Sequence, residues 1–336
     1  MSPTTQPDPS LILDTLFVFQ RTQAFKAAID LDLFTAIASG ATRLPEIASR
    51  VKASERGIRI LCDYLTISGF LTKSDNGYAV SPKVAPFLDT HSPAYIGAMA
   101  NFLAHPTLTR SFEDLADKVR QGGASLGAST IDPENPIWVE FARNMTGFVS
   151  VVAGALAAVV AQPGRPQKVL DISAGHGMFG ISVARANPRA EIYGLDWKNV
   201  LAVARENANK AGVGDRFHEI PGSAFEVALG HDYDLVLIPN FLHHFAPPTC
   251  VSLLKRVKAA LKPTGLVATA EFVPNPDRIS PPLPAAFSLQ MLAGTPAGDA
   301  YTFAEFDGMF REAGFPPSNS QPLGQTPQTL ILTPAS

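Results

Sequence analysis

The chain has 336 residues, enough for two domains, and its content of 46% hydrophobic and 17% charged residues indicates a soluble globular protein. A formal net charge of −3 excludes a global basic field of the kind that attracts nucleic acid or anionic membranes. Cys62 and Cys250 are too few and too isolated for a disulfide scaffold or a zinc site, which fits a reducing cytoplasm.

The sequence also lacks export and membrane signals. Met1–Ser10 is polar and has no basic-then-apolar pattern, and the longest apolar run, Phe148–Ala161, is shorter than a bilayer-spanning helix. We therefore expect a cytoplasmic protein without a membrane partner, in which this run forms a buried helix packed on a sheet.

The N-terminal quarter predicts a winged helix. Apolar residues recur at helical spacing, and Asn76-Gly77 is a hairpin turn signal within Gly69–Pro82. The predicted helices are Leu11–Ala28, Leu31–Ala38, Arg43–Arg50 and Ser54–Ser68, with Ser54 as a helix start. The last helix is too apolar for a DNA-reading helix, so a core or subunit contact is the favoured interpretation, although a winged-helix regulator stays open.

The rest of the chain predicts a helical region followed by a doubly wound α/β sheet. Helical spacing runs from Pro93 to Val160 with a loop at Gly122–Pro136, and strands alternate with helices from about Lys168. Predicted domains are residues 1–92, 93–160 and 161–336. The predicted strands are Val169–Ile172, Glu191–Leu195, Phe217–Ile220, Asp234–Pro239, Leu266–Phe272 and an edge strand at Gln328–Thr333.

A glycine turn in this sheet indicates a nucleoside pocket. The apolar run before Asp171 is followed by Gly175-x-Gly177-x-x-Gly180, and the next strand ends in Asp196, where a carboxylate can hold ribose hydroxyls. The same pattern is the dinucleotide fingerprint, so a nicotinamide oxidoreductase stays open. A carboxylate at Asp171 favours a cationic ligand such as S-adenosylmethionine over a pyrophosphate.

Several further motifs resemble those of class I S-adenosylmethionine-dependent O-methyltransferases that act on small molecules. The resemblance covers nearly the whole chain and implies a Rossmann-like methyltransferase sheet with an N-terminal winged-helix dimerisation domain, hence a homodimer. The motifs are Leu170-Asp-Ile-Ser-Ala-Gly-His-Gly177, Gly194-Leu-Asp-Trp197, Pro221-Gly-Ser-Ala-Phe225, Asn240-Phe-Leu-His-His-Phe245 and Leu261-Lys-Pro-Thr-Gly265.

The resemblance implies a donor site for S-adenosylmethionine, with S-adenosylhomocysteine as the product. Asp196 binds the ribose and Trp197 lies beside the adenine, whereas Ser223 stands where many relatives have an aspartate. Asn240 contacts the methionine carboxylate or the substrate. The implied donor-binding residues are Asp171, Ser173, Ala174, Gly175, Gly177, Asp196, Trp197, Gly222, Ser223, Ala224 and Asn240.

For catalysis, the resemblance implies His243 as general base and Glu271 as the carboxylate that orients it. His244 is the rival base, and Asp299 lies roughly where the family has a second acid. No metal is expected, because the fourth strand tip lacks carboxylates. The small-molecule acceptor is expected to be phenolic or enolic, with candidate contacts at His105, Met145, Phe148, Met291 and Tyr301. Methylation of carbon or nitrogen, or non-methylating chemistry with the same donor, stays open.

Overall fold

A computed structural model describes residues 8–125, 130–131 and 134–336. The chain divides into two compact units, one ending at Pro106 and the other running from Thr107 to Ser336. The boundaries that the sequence suggests at residues 92 and 160 remain predictions. Each unit has its own set of buried apolar side chains.

The first unit contains the predicted helices and hairpin. Its elements are α1 (Ser10–Asp30), α2 (Leu33–Ala38), α3 (Leu44–Arg50), α4 (Glu55–Ile67), β1 (Leu71–Ser74), β2 (Gly77–Val80), α5 (Ala85–Leu88) and α6 (Met99–Leu103). The Ser54 side chain accepts the Gly57 N–H, which confirms the predicted start of α4. The mostly helical N-terminal region of the predicted fold is therefore confirmed.

The hairpin turns one residue earlier than its sequence signal indicates. Ser74 pairs with Gly77, so the two turn residues are Asp75 and Asn76, and Gly77 begins β2. Gly77 has φ +108°, and a Cβ there would lie 2.2 Å from the Thr42 carbonyl oxygen. The glycine is therefore required by a close backbone approach between the hairpin and the α2–α3 loop.

The first unit exposes an apolar face along α1. Leu11, Leu16, Phe17 and Phe19 are 75%, 64%, 54% and 60% exposed. A contiguous surface of this kind is typical of a protein–protein contact rather than of a monomer's free surface.

The second unit begins with four helices. They are α7 (Pro106–Arg110), α8 (Leu115–Gln121), α9 (Ile137–Asn144) and α10 (Thr146–Val160). Helices α9 and α10 meet at Met145 with a bend of 70°. The apolar helix α10 buries Val149, Val152 and Leu156, as expected for a helix in a core. The predicted loop Gly122–Pro136 lies partly outside the described residues.

A seven-stranded sheet follows these helices. Its elements are β3 (Gln167–Ile172), α11 (Met178–Ala186), β4 (Ala190–Asp196), α12 (Lys198–Lys210), β5 (Phe217–Pro221), β6 (Tyr233–Leu237), α13 (Pro247–Ala260), β7 (Leu261–Glu271), α14 (Pro282–Gly294), α15 (Phe303–Glu312), β8 (Asn319–Pro322) and β9 (Thr329–Pro334). The strand order is β5-β4-β3-β6-β7-β9-β8.

The sheet confirms the doubly wound α/β prediction. Strands β3 to β7 are parallel, and β8 and β9 are antiparallel additions at one side. The chain reverses its direction of winding between β3 and β6, and ligands of open α/β sheets bind beyond the carboxyl ends of the strands at such a point. The fold thus places the tips of β3, β4 and β6 side by side.

The predicted edge strand at Gln328–Thr333 is wrong in its position. Strand β9 lies between β7 and β8, so β8 forms the edge. All four residues of β8 are exposed and polar or proline, and they therefore give no hydrophobic alternation.

Within the described residues, no single helix has both the length and the hydropathy of a membrane span, and only α9 and α10 taken together as a bent pair reach both.

Candidate active site

The Ser173–Gly177 turn connects β3 to α11 and is tied to the tip of β4. The Ala174 N–H donates to the Leu195 carbonyl at 3.1 Å, and the Gly175 N–H donates to Asp196 Oδ2 at 2.8 Å. Ser173, Gly175 and Gly177 have φ values of 56°, 57° and 75°. A serine in this left-handed region costs free energy, and such strain is typical of ligand-binding turns.

Asp196 is a hydrogen-bond acceptor that two backbone N–H groups hold in place at the end of β4. Its Oδ2 accepts the Gly175 N–H and its Oδ1 accepts the Trp197 N–H at 2.7 Å. Burial raises the pKa of Asp196 to about 6, although these two N–H groups oppose the rise. A carboxylate has about four lone-pair sites, so both oxygens can still accept hydroxyl groups of a ligand.

Asp171 is less strongly charged than its position in the sequence suggests. The side chain is fully buried, and burial raises its pKa to about 7. Its Oδ2 accepts the Gly180 N–H at 2.9 Å, and Oδ1 has no hydrogen-bond partner within the described residues. Asp171 therefore favours a cationic ligand less than the sequence suggests, because the carboxyl is only partly ionised at neutral pH. Its contact with the donor remains a prediction.

The remaining candidate donor residues lie at the same edge of the sheet. Gly222 follows β5 and its N–H donates to the Asp196 carbonyl at 2.9 Å, while Ala224 is buried. Ser223 Oγ accepts the Phe225 N–H at 3.2 Å, so its hydroxyl hydrogen is still available to a ligand. Trp197 packs against the small apolar cluster of α9 and α12.

His243 and Glu271, which lie far apart in the chain, are hydrogen-bonded. His243 Nδ1 lies 2.5 Å from Glu271 Oε2, and the two side chains are 4% and 0% exposed. Glu271 Oε1 also accepts the N–H groups of Phe241 and Leu242, each at 3.1 Å. An ionised carboxylate only accepts, so Nδ1 carries the hydrogen and Nε2 is left with a lone pair.

His244 has a different environment from His243. Its ring lies 5.4 Å from Trp138 and 4.3 Å from His243, and its Nδ1 is buried without a partner in the described part of the chain. Burial and the neighbouring His243 lower the pKa of His244 well below its usual value. Without a carboxylate to orient it, His244 is the weaker candidate base.

The Asp299 carboxylate pairs with an arginine, and its role as a second acid remains a prediction. Its backbone N–H donates to the His243 carbonyl at 2.9 Å, and its carboxylate pairs with Arg278 at 3.4 Å. Arg278 also pairs with Glu305 at the start of α15. Asp299 therefore contacts the His243 backbone while its charge is directed to the Arg278 pair.

Three of the acceptor candidates are buried in the second unit and one is half-buried. Met145 lies at the bend between α9 and α10, Met291 lies on α14, and Phe148 is half-buried on α10. The Tyr301 hydroxyl donates to the Phe245 carbonyl at 2.6 Å, and its ring packs in the main core. Tyr301 therefore packs in the core, and its contact with the acceptor remains a prediction. His105 belongs to the first unit, and its role remains a prediction.

Helix α9 provides an aromatic cover, in which the sequence did not predict the part played by Phe141. Ring centroids are 5.4 Å apart for His176 and Phe141, 5.8 Å for Phe141 and Trp138, and 5.4 Å for Trp138 and His244. This row links the glycine turn to the histidine pair. The available signal was the spacing of Trp138 and Phe141, which places them on one face of a helix.

His176, in the glycine turn, is buried, with 2% of its surface exposed. Its Nδ1 accepts the Met178 N–H at 3.1 Å, and burial lowers its pKa to about 4. The described residues contain no group of three or more His, Cys, Asp or Glu side chains arranged to hold a metal ion.

Two known protein families match most of the chain. Residues 112–316 match the O-methyltransferase domain, and residues 13–86 match the O-methyltransferase dimerisation domain. The chain belongs to the O-methyltransferase family. This family resemblance, predicted from the motifs, is therefore confirmed, and the chain is an O-methyltransferase.

Similar proteins span nearly the full length of this O-methyltransferase. The chain is 28% identical to 3-hydroxy-5-methyl-1-naphthoate 3-O-methyltransferase of Streptomyces sahachiroi, over 93% of this chain and 91% of that one. A crystal structure of a Nostoc punctiforme protein provisionally named an O-methyltransferase has a TM-score of 0.94 and 49% identity, covering 98% and 100% of the two chains. Human N-acetylserotonin methyltransferase in complex with S-adenosylmethionine has a TM-score of 0.85 at 23% identity, covering 99% of each chain, and shares the fold.

Proposed function

We propose that this O-methyltransferase transfers a methyl group from S-adenosylmethionine to a hydroxyl oxygen of a phenolic or enolic small molecule, with His243 as general base. The observation that carries the proposal is the hydrogen-bonded pair of His243 and Glu271 beside the Asp196 turn, at the carboxyl edge of one sheet.

The residues at the tips of β3, β4 and β5 fit the donor. Asp196 has acceptor capacity left for two ribose hydroxyls, and the Ser223 hydroxyl is available beyond β5. The buried Oδ1 of Asp171, which has no partner among the described residues, leaves an acceptor behind the glycine turn. When bound, S-adenosylmethionine supplies a methyl carbon activated by a positively charged sulfur.

His243 and Glu271 fit the proton-transfer part of the reaction. His243 Nε2 takes the proton of the acceptor hydroxyl as the oxygen forms its bond to the methyl carbon, and the carbon–sulfur bond breaks to leave neutral S-adenosylhomocysteine. The positive charge thus passes from sulfur to the imidazole, where Glu271 stabilises it through Nδ1–H. Most of the remaining acceleration comes from alignment of the two reactants.

The expected acceptor class is supported by the apolar side chains among the acceptor candidates and by the name of one relative. Met145, Phe148 and Met291 offer polarizable or aromatic surfaces suited to a flat ring. The Streptomyces sahachiroi relative is named for O-methylation of a hydroxynaphthoate. Both features favour a phenol or enol over an aliphatic alcohol.

A labelled-methyl assay tests this function. Purified protein with S-adenosylmethionine carrying a labelled methyl group, and a library of phenols, naphthols and enolic polyketides, is expected to give a labelled ether and one S-adenosylhomocysteine per turnover. Mass spectrometry of the products checks the result. Label on carbon or nitrogen would favour the alternative methylation chemistry, whereas donor consumption with unlabelled products would favour non-methylating chemistry. Calorimetry that shows no binding of S-adenosylhomocysteine would contradict the donor assignment.

We also propose a homodimer formed through the first unit, in the cytoplasm. The match to a dimerisation domain and the exposed apolar face of α1 support it. We expect light scattering at micromolar concentration to give twice the 35.8 kDa chain mass. Replacing Phe17 with aspartate on that face is expected to shift the mass toward the monomer, because it places a charge in the contact. Lys52→Asp, in the exposed loop between α3 and α4, is the control. A wild-type monomer contradicts the proposal.

A further inference from the structure

The segment Asn240–His243, which follows β6, is held by residues of β7 and by Gln328, the residue before β9. The Asn240 N–H donates to the Ala270 carbonyl at 2.9 Å, and Glu271 accepts from Phe241, Leu242 and His243. Asn240 has φ +53°, a conformation that asparagine tolerates better than most residues. Another contact comes from Gln328, the residue before β9, whose Nε2 donates to Asn240 Oδ1 at 2.6 Å.

Gln328 is placed by the sheet itself. It directly precedes β9, whose first residue, Thr329, is the antiparallel partner of Glu271. The Gln328 side chain is 4% exposed, and its Oε1 is buried without a hydrogen-bond partner among the described residues. The bond to Asn240 is therefore the one hydrogen bond that the Gln328 amide makes in the described part of the chain.

The orientation of the two amides follows from what each arrangement leaves unpaired. If both amides were turned over, Asn240 would donate to Gln328 Oε1, and the Gln328 NH2 group would be buried with two unused donors. Orphaned buried N–H groups are rarer than under-satisfied carbonyl oxygens, so the observed arrangement is preferred. Asn240 consequently has Oδ1 occupied, and its Nδ2 has no protein partner in the described residues.

The free Asn240 amide lies beside the glycine turn. Strand β6 pairs in parallel with β3, with Asp171 opposite Leu237, so the residues after these two positions leave the sheet as neighbours. Asn240 follows Leu237 closely and is half-buried, as a residue that meets a ligand would be. The Ser173–Gly177 turn leaves β3 next to it, and the family resemblance implies that this turn holds the methionine portion of the donor.

From this geometry we infer that Gln328 is a positioning residue that acts through Asn240. It holds the Asn240 amide so that Nδ2 donates to the methionine carboxylate of the donor. The inference rests on the proposed function, because it requires S-adenosylmethionine in this site. It adds to donor recognition a residue that directly precedes β9, in a segment that carries none of the motifs.

A double-mutant cycle with two ligands tests the inference. Calorimetry measures the Kd of S-adenosylhomocysteine and of 5′-methylthioadenosine, which lacks the amino-acid carboxylate, for wild type, Gln328→Met, Asn240→Ala and the double variant. Gln328→Met is expected to weaken the binding of S-adenosylhomocysteine by about 10- to 150-fold, the effect of one lost hydrogen bond to a charged group. The Kd of 5′-methylthioadenosine is expected to stay within about twofold of the wild-type value. In the Asn240→Ala background, Gln328→Met is expected to cause no further rise in the Kd of S-adenosylhomocysteine.

The controls separate positioning from general damage. Gln321→Met changes the same residue type on the exposed strand β8 and is expected to bind both ligands as wild type does. Thermal unfolding checks that each variant folds. The inference is overturned if Gln328→Met binds S-adenosylhomocysteine as tightly as wild type, if both ligands weaken equally, or if its loss persists in the Asn240→Ala background. Wild type that binds neither ligand would instead overturn the proposed function, and this inference with it.

Discussion

Replacing His243 with alanine is expected to lower kcat by about 100- to 10,000-fold, the usual contribution of a general base. The Kd of S-adenosylhomocysteine is expected to change little, because the His243 ring is hydrogen-bonded to Glu271 and not to the residues proposed to bind the donor. Assays with labelled donor, quenched at fixed times, give kcat, and calorimetry gives the Kd of S-adenosylhomocysteine. Near-normal turnover would remove the base from the mechanism.

Two variants sharpen the assignment of His243. His244→Gln is the matched control and is expected to retain activity within about tenfold, because His244 lacks a carboxylate partner. Glu271→Gln keeps an acceptor for Phe241 and Leu242 but turns an NH2 group toward His243. The ring must then accept at Nδ1 and carry its hydrogen at Nε2, so we expect a loss close to that of His243→Ala. A larger loss for His244→Gln than for His243→Ala would reverse the assignment.

Replacing Asp196 with asparagine is expected to raise the Kd of S-adenosylhomocysteine by about 10- to 100-fold, through loss of charge-assisted acceptors for the ribose. The wild-type affinity is also expected to fall as the pH drops through about 6, because that is where the buried Asp196 carboxylate takes up a proton. The variant should lose this pH dependence. Calorimetric titrations between pH 5 and pH 8 measure both effects.

Asp171→Asn is the matched control for Asp196→Asn. Its amide oxygen can still accept the Gly180 N–H, and it removes a second carboxyl whose pKa lies at about 7. Burial raises this pKa above its value of 3.8, so the group favours folding at low pH and loses that contribution as the pH rises through 7. Asp171→Asn is therefore expected to raise the thermal midpoint at pH 8. A flat wild-type pH profile for binding would contradict the role of Asp196.

The elements with a strong pattern were predictable from the sequence. The alternation of apolar strands with helices gave β3 to β6 to within two residues, because buried parallel strands are short apolar runs. Strand β7 ends within one residue of its prediction but begins five residues earlier. Strand β8 was missed because it buries nothing and pairs through its backbone alone. Its absence from the prediction made β9 look like an edge.

The candidate site was predictable in its composition but not in its contacts. Asp196, His243 and Glu271 each end a strand or follow one, so their common edge could be inferred from the sequence. The burial that neutralises part of the Asp171 charge depends on helices packed from elsewhere in the chain. Gln328 lies 88 residues from Asn240, and no local pattern connects them.

The pairing of β7 with β9 has a consequence for synthesis on the ribosome. Until Thr329–Pro334 has been translated, β7 lacks its antiparallel neighbour and presents a row of unsatisfied backbone groups. A nascent chain stopped before this point already contains His243 and Glu271, yet its sheet is unfinished and open to pairing with other chains. Truncated translation products are therefore expected to aggregate instead of competing with the finished enzyme for acceptor.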